Sequence, residues 1–355
     1  MALLIVTLIL TLHLAAQDSS KSSAGGNSGD KSTGKPNTMK LYDVPSPRET
    51  GGQTPEEVAE YVAIGKATDP KSQVELIEAF IKKYPSSQYV PGLHQFAAND
   101  YQLIGNPDKL IEHAEKVLET TPQNAPFLAI LSVTYAARGE TEKAIDRGNK
   151  AVTLLDSAEP APKVDPTMFA AQKNRLLSIA YTGLGAAYLE RYEKSLAAVP
   201  PGQSKDAAKP ASEEPATSAA AGQANPGKEG AVSKGEPTEK AVTTPGSSEA
   251  LDLSKAKGYF ARALELDPGY EFAQFQMAVT YTHEKQVAQS LESFAKVMAM
   301  GGGLANLAKQ NFERIYKLTH NNSLAGSEEL LEKAKAAWAD QKAAAKPPAP
   351  PKTAE

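Results

Sequence analysis

Two windows of this chain repeat one pattern at a fixed spacing, and that period constrains the fold more than any other feature. One window starts at Pro91 and the next at Ala125, 34 residues later. At matched places the first carries Ala98, Tyr101, Gly105, Leu110, Ala114, Val117 and Pro122. The second carries Ser132, Tyr135, Gly139, Ala144, Gly148, Ala151 and Asp156. Two antiparallel helices approach closely only where facing side chains are small, which accounts for Ala98, Ser132, Ala114, Gly148 and Ala151. Gly105 and Gly139 fall where the chain leaves the first helix, and glycine tolerates the left-handed conformation needed there. Asn106-Pro107 restarts the chain as N-cap and first-turn proline. Tyr101 and Tyr135 stand where neighbouring units meet.

A unit of about 34 residues with this signature resembles the tetratricopeptide repeat, a helix–turn–helix module. The resemblance implies an all-α, right-handed helix–turn–helix solenoid that binds other proteins and performs no catalysis. A further window from Glu271 carries Met277-Ala278, Tyr281, Ser290, Phe294 and Val297 at the same spacings. The run Ala263-Leu264-Glu265-Leu266-Asp267-Pro268 before it is similar to the close of the family's second helix. Its first-helix partner is not directly upstream. The most family-like first-helix core, Leu184-Gly185-Ala186-Ala187-Tyr188, comes much earlier. One repeat therefore reads as split, with its first helix over 166–198 and its second over 248–266.

The chain divides accordingly. Residues 54–199 hold the repeats and the first helix of the split unit, and 248–301 hold its second helix and the last clear repeat. The insert between them, 200–247, is built mainly of Ala, Pro, Gly, Ser, Lys, Glu and Thr, with no aromatic residue and only scattered Val. Such a segment buries too little apolar surface to offset its ordering entropy, so it is expected to be disordered. Upstream, Thr54-Pro55-Glu56-Glu57 reads as a capping box. Asp69-Pro70 starts a second helix, closed by Phe80-Ile81-Lys82-Lys83-Tyr84-Pro85, which gives a degenerate first repeat. Downstream, Gly301-Gly302-Gly303 interrupts the chain. Within 302–342, residues 304–318 and 327–341 read as amphipathic helices that cap the array, the latter N-capped by Ser327. Residues 17–53 form a Ser/Gly-rich tether, and 343–355 a Pro/Ala-rich tail.

Residues 1–16 are nearly all apolar. As a helix they reach about 24 Å, short of a bilayer core of about 30 Å, and Ala15-Ala16 precede a polar run. This reads as a secretory signal peptide, with an uncleaved membrane anchor as the alternative, because no Lys or Arg precedes the apolar run. The expected location is therefore exported, in the periplasm or cell envelope. The chain contains no cysteine, which removes disulfides, thiolate metal sites, cysteine nucleophiles and lipid-modified cysteine.

Lys and Arg number 38 against 42 Asp and Glu, without a clustered basic stretch, so nucleic acid is not an expected partner. No cofactor is expected. His13, His94, His113, His283 and His320 show no metal-binding spacing. Residues 222–228 imitate a phosphate-binding loop, but Glu229 replaces the Ser or Thr that holds magnesium and no strand precedes it.

The resemblance also implies a concave groove lined by the first helices. Carried over, it comprises Gln95, Asn99 and Gln102 in one unit and Ala129, Val133 and Ala136 in the next. The split unit contributes Thr182, Ala186 and Leu189, and the last clear unit Phe272, Phe275, Val279 and Thr282. The basic residues with which some relatives clamp a carboxylate are missing from these places. Phe272 and Phe275 are candidate anchors for a protein partner, unless they pack on the neighbouring helix. Two other roles are compatible with the same residues: self-association into an envelope assembly, and binding of the arms to a cell-wall surface.

Overall fold

The computed structural model describes residues 54–162, 164–198 and 247–344. The predicted leader (1–16), the predicted tether (17–53), residues 200–246 of the predicted insert and 345–355 of the tail lie outside the described residues. Within them the chain forms twelve α-helices and no strand. These are α1 (Pro55–Lys66), α2 (Pro70–Lys83), α3 (Val90–Ile104), α4 (Pro107–Thr120), α5 (Ala125–Ala137) and α6 (Thr141–Asp156). Then follow α7 (Pro166–Ala198), α8 (Ser247–Leu266), α9 (Glu271–His283), α10 (Val287–Met300), α11 (Ala305–Thr319) and α12 (Ser327–Ala344).

Local chemistry sets the helix ends. The side chains of Thr54, Asp69, Asn106 and Asn124 accept hydrogen bonds from the N–H groups of Glu57, Ser72, Lys109 and Phe127, at 2.9–3.2 Å. Each such cap satisfies an otherwise unpaired helical donor. Gly105 and Gly139 adopt φ of 83° and 72°, so each terminates a first helix in the left-handed region. Two ends differ from expectation. Ser327 does not cap α12 as an acceptor; its hydroxyl donates to Leu324 O at 2.7 Å. Also, α12 continues through Ala344, two residues into the predicted tail.

The helices pack as consecutive antiparallel-type pairs, α3 with α4, α5 with α6, α7 with α8 and α9 with α10, each stacked on the next. Small residues sit at the seams. Ser132, wholly buried, donates to Ala144 O across the α5–α6 pair at 2.9 Å, and Ser290 donates to Ala278 O across α9–α10 at 3.1 Å. A Cβ on Gly148 would stand 2.7 Å from both Leu184 Cγ and Ser132 Oγ, so only glycine lets α6 fit against α5 and α7.

The repeat tyrosines tie units together. The Tyr101 hydroxyl donates to Glu78 Oε1 of α2 at 3.0 Å, and that of Tyr135 to Glu115 Oε1 of α4 at 2.8 Å. Arg147 closes the second link with two bonds to the Glu115 carboxylate, at 3.1 and 2.8 Å. The first helix of one pair is thus bonded to the second helix of the pair before it.

Helices α7 and α8, far apart in sequence, lie against each other. Gly185 faces the Phe260 ring so closely that a Cβ would come within 2.6 Å of it. Tyr188 stacks on Tyr259, and Arg191 grips the buried Asp252 carboxylate with bonds of 2.7 and 2.6 Å. With 33 residues, α7 is the longest helix; its buried positions run from Leu177 to Leu189. Its first turns reach back to the end of α6, where Lys173 donates to Asp156 O and Ala158 O.

Candidate functional site

The structure buries most of the side chains expected to line an open groove. Ala129, Val133 and Ala136 on α5 are at most 5 % exposed. Thr182, Ala186 and Leu189 on α7 are buried as well, and so are Phe272 and Phe275 on α9. These eight residues are core, which corrects the expectation drawn from the repeat pattern. Helix α5 is enclosed by α4, α6 and α7, and α7 by α5, α6 and α8. Phe275 meets Phe294 of α10 edge to face, with ring centroids 5.4 Å apart. The signal was in the sequence: Ala125–Ala137 contains no charged residue, and a helix apolar on all sides is a buried helix.

Five of the thirteen positions retain access to solvent. Thr282 is exposed, with its hydroxyl bonded to Ala278 O and Ser290 Oγ, and Val279 is half-buried. Gln95, Asn99 and Gln102 lie half-buried on α3 at positions i, i+4 and i+7, which places them in one row. Their side-chain amides make no hydrogen bond among the described residues. Leu103 beside them is exposed. An amide side chain both donates and accepts, so this row can meet an extended main chain group for group.

Behind the row lies a polar cluster that the sequence reading did not assemble. His94 Nδ1 and His113 Nδ1 are 2.9 Å apart, and His113 Nε2 is 3.1 Å from Glu78 Oε1, the oxygen that accepts from Tyr101. One imidazole must present a bare Nδ1 to the other, so the pair cannot hold two charges at this distance. Burial, with the neighbouring His113 charge second, holds His94 below the usual imidazole range. Burial followed by the Glu78 bond pushes the Tyr101 phenol up to about 12. Among the described residues no group of three or more histidines and carboxylates is placed to hold a metal ion.

A second surface feature stands at the C-terminal end. Helices α10, α11 and α12 enclose a cleft of about 540 Å³, within the size range of small-molecule sites. Val287, Ala288, Leu291, Leu330, Ala334 and Ala337 give it apolar walls, and Glu292, Lys296, Tyr316, His320 and Lys333 contribute the polar groups. The His320 ring lies flat on Tyr316 at 3.8 Å, and the Tyr316 hydroxyl is spent on Ala325 O at 2.9 Å. Lys296 is half-buried, and burial pulls its ammonium below the usual lysine range against the opposing pull of Glu292. No carboxylate lies within ion-pair distance of it among the described residues. The apolar spacing on α12 was legible, but the cleft exists only because α12 packs on α10 with Ala334 as its one buried residue.

No family model matches the chain, and no curated protein matches it in sequence. Among solved structures, one from a functional characterization of Pseudomonas aeruginosa PilF is 12 % identical, with 79 % of this chain and 96 % of that chain covered, at a TM-score of 0.35. The TPR2AB domain of yeast Sti1, in complex with pHSP90, is 14 % identical over 79 % of this chain and 97 % of that chain, at a TM-score of 0.22. Likenesses at these scores carry no argument about the site. The helix pairs themselves, with small residues at the seams, left-handed glycines closing the first helices and a 34-residue offset between units, are those of a tetratricopeptide-like helical solenoid.

Proposed function

We propose that this chain is a non-catalytic protein-interaction scaffold that takes an extended segment of a protein partner along α3. The observation that carries the reading is the row of Gln95, Asn99 and Gln102, three unpaired amides one turn apart beside exposed Leu103. Half-exposed amides in register offer donors and acceptors that an extended main chain can match in place of water. Export to the periplasm or envelope is part of the proposal and rests on the composition of residues 1–16.

The test is site-specific photocrosslinking in cells. A crosslinker at position 99 or 102 is expected to capture discrete partner proteins that the same group at Lys150, exposed on α6, does not. Equal labelling from all three positions removes the α3 site. Sequencing the N-terminus of the captured chain tests export: a start near Gln17 supports a cleaved leader, and retained Met1 in a cytosolic fraction ends that part of the reading.

A second reading, self-association through the outer end of the array, is favoured by Val58 and Val62. They are exposed one turn apart on α1, whose main helix neighbour is α2 and whose Tyr61 ring stacks on Tyr89. Light scattering across a concentration series decides it. A concentration-dependent oligomer abolished by Val62→Glu supports assembly, and a monomer throughout excludes it.

A further inference from the structure

The cleft between α10, α11 and α12 lies apart from the α3 row and plays no part in the scaffold reading. The two long walls are hydrocarbon, Val287 and Leu291 on α10 against Leu330, Ala334 and Ala337 on α12. Its only half-buried charge is the Lys296 ammonium, on the same helix as Leu291 and without an ion-pair partner among the described residues. A partly desolvated ammonium beside an open cavity favours an anion, because the alternative is a charge with neither full hydration nor a counter-charge. Lys333 adds a second cation at the rim of the cleft, against the single carboxylate of Glu292.

The walls also restrict what the rest of the ligand can be. A peptide laid in this cleft would bury backbone amides against Val, Leu and Ala side chains that cannot bond them. The Tyr316 hydroxyl is already committed to Ala325 O, and His320 Nδ1 is taken by Tyr316 O or by the Thr319 hydroxyl, according to its tautomer. A chain with no polar group along its length meets no such penalty.

We propose that this cleft binds an unbranched aliphatic carboxylate, with its head group on the Lys296 ammonium and its hydrocarbon tail between Leu291 of α10 and Leu330 and Ala334 of α12. Helix α12 suits this role, since Ala334 is its one buried side chain and the space beside it is unfilled. Each methylene accommodated is expected to tighten binding about fourfold until the cleft is full.

The experiment is calorimetric titration of the full chain with submicellar decanoate, dodecanoate, dodecanol and dodecylammonium. Dodecanoate is expected to bind more tightly than decanoate, and dodecylammonium much more weakly than either. Lys296→Met keeps the length and apolar stem of the side chain, so the fold tolerates it. It should weaken dodecanoate about tenfold or more and leave dodecanol unchanged, because a charge-assisted bond alone is lost. The shift of the Lys296 side-chain nitrogen resonance on adding dodecanoate gives a readout independent of heat. The proposal is overturned by absence of dodecanoate binding, or by equal dodecanoate affinity in Lys296→Met. A photocrosslinker at Leu330 that joins to residues 345–355 or to a second copy, with no dodecanoate bound, assigns the cleft to protein and overturns it too.

Discussion

Gly183→Ala probes the packing on which the array depends. A Cβ built on Gly183 stands 2.2 Å from Ser132 Oγ and 2.8 Å from the Ser132 carbonyl carbon. The hydroxyl is not free to turn away, since it donates to Ala144 O at 2.9 Å inside the core. The carbonyl carbon belongs to the backbone of α5, so relief requires α5 and α7 to separate. Restoring an ordinary carbon–carbon contact of about 3.5 Å takes a shift of about 0.7 Å, which forfeits about a quarter to a half of each dispersion contact along the seam. Overpacking costs about 1–3 kcal/mol, and a clash with backbone belongs at the upper end. Alanine returns about 1 kcal/mol of helix propensity, leaving a net loss of about 2 kcal/mol. Gly258→Ala is the control: it lies inside α8 with no atom within 4 Å of the added Cβ, so it should gain up to about 1 kcal/mol. Thermal and urea unfolding followed by far-ultraviolet circular dichroism should order the midpoints Gly258→Ala, wild type, Gly183→Ala. The last is expected to melt about 5 °C below wild type. A Gly183→Ala midpoint at or above wild type would refute the close approach of α5 and α7.

Three further outcomes are expected. Burial raises the Glu271 carboxyl to about 7, although it accepts from the N–H of Leu304 at 3.0 Å. The folded chain then holds more protons than the unfolded chain between about pH 4.5 and 7, so this group's contribution falls as pH rises through that window. The urea midpoint of Glu271→Gln relative to wild type should therefore improve between pH 5 and 7.5, and a constant difference would contradict the assignment. Arg191→Met strands the Asp252 carboxylate, which is 8 % exposed, and should cost about 2 kcal/mol, less than a fully buried pair because the Arg191 side chain is 37 % exposed. A double-mutant cycle with Asp252→Asn measures the coupling, and a coupling near zero would remove this link between α7 and α8. His94 is held below its unfolded value of about 6.5, so the stability it contributes is present above that pH and is lost as pH falls below it and through the lower folded value. Nuclear magnetic resonance titration should find its midpoint below that of an unfolded control peptide; a midpoint above the control contradicts the Nδ1–Nδ1 contact.

The parts of this architecture written in short-range chemistry were legible in the chain. Thr54, Asp69 and Asn106 cap helices because their side chains reach only three residues ahead. Gly105 and Gly139 terminate helices because the left-handed turn excludes most other residues. The binding surface was less legible. A spacing of i, i+4 and i+7 says which side chains share a helix face, and nothing in that spacing says whether another helix covers it. The same rule grouped Gln95 with Asn99 and Ala129 with Val133. The first row remains accessible on α3, while the second is sealed beneath the neighbours of α5.

By itself, then, the sequence determined the helical class, the 34-residue unit, the turn glycines and the caps, because each rests on contacts within a few residues or on a period that repeats. Only the tertiary structure decided that Phe272 and Phe275 belong to the core, that His94 meets His113, and that α12 closes a cleft over Lys296. Those outcomes depend on which helix lies across which, and that is set by the total area and shape buried when all twelve described helices pack together.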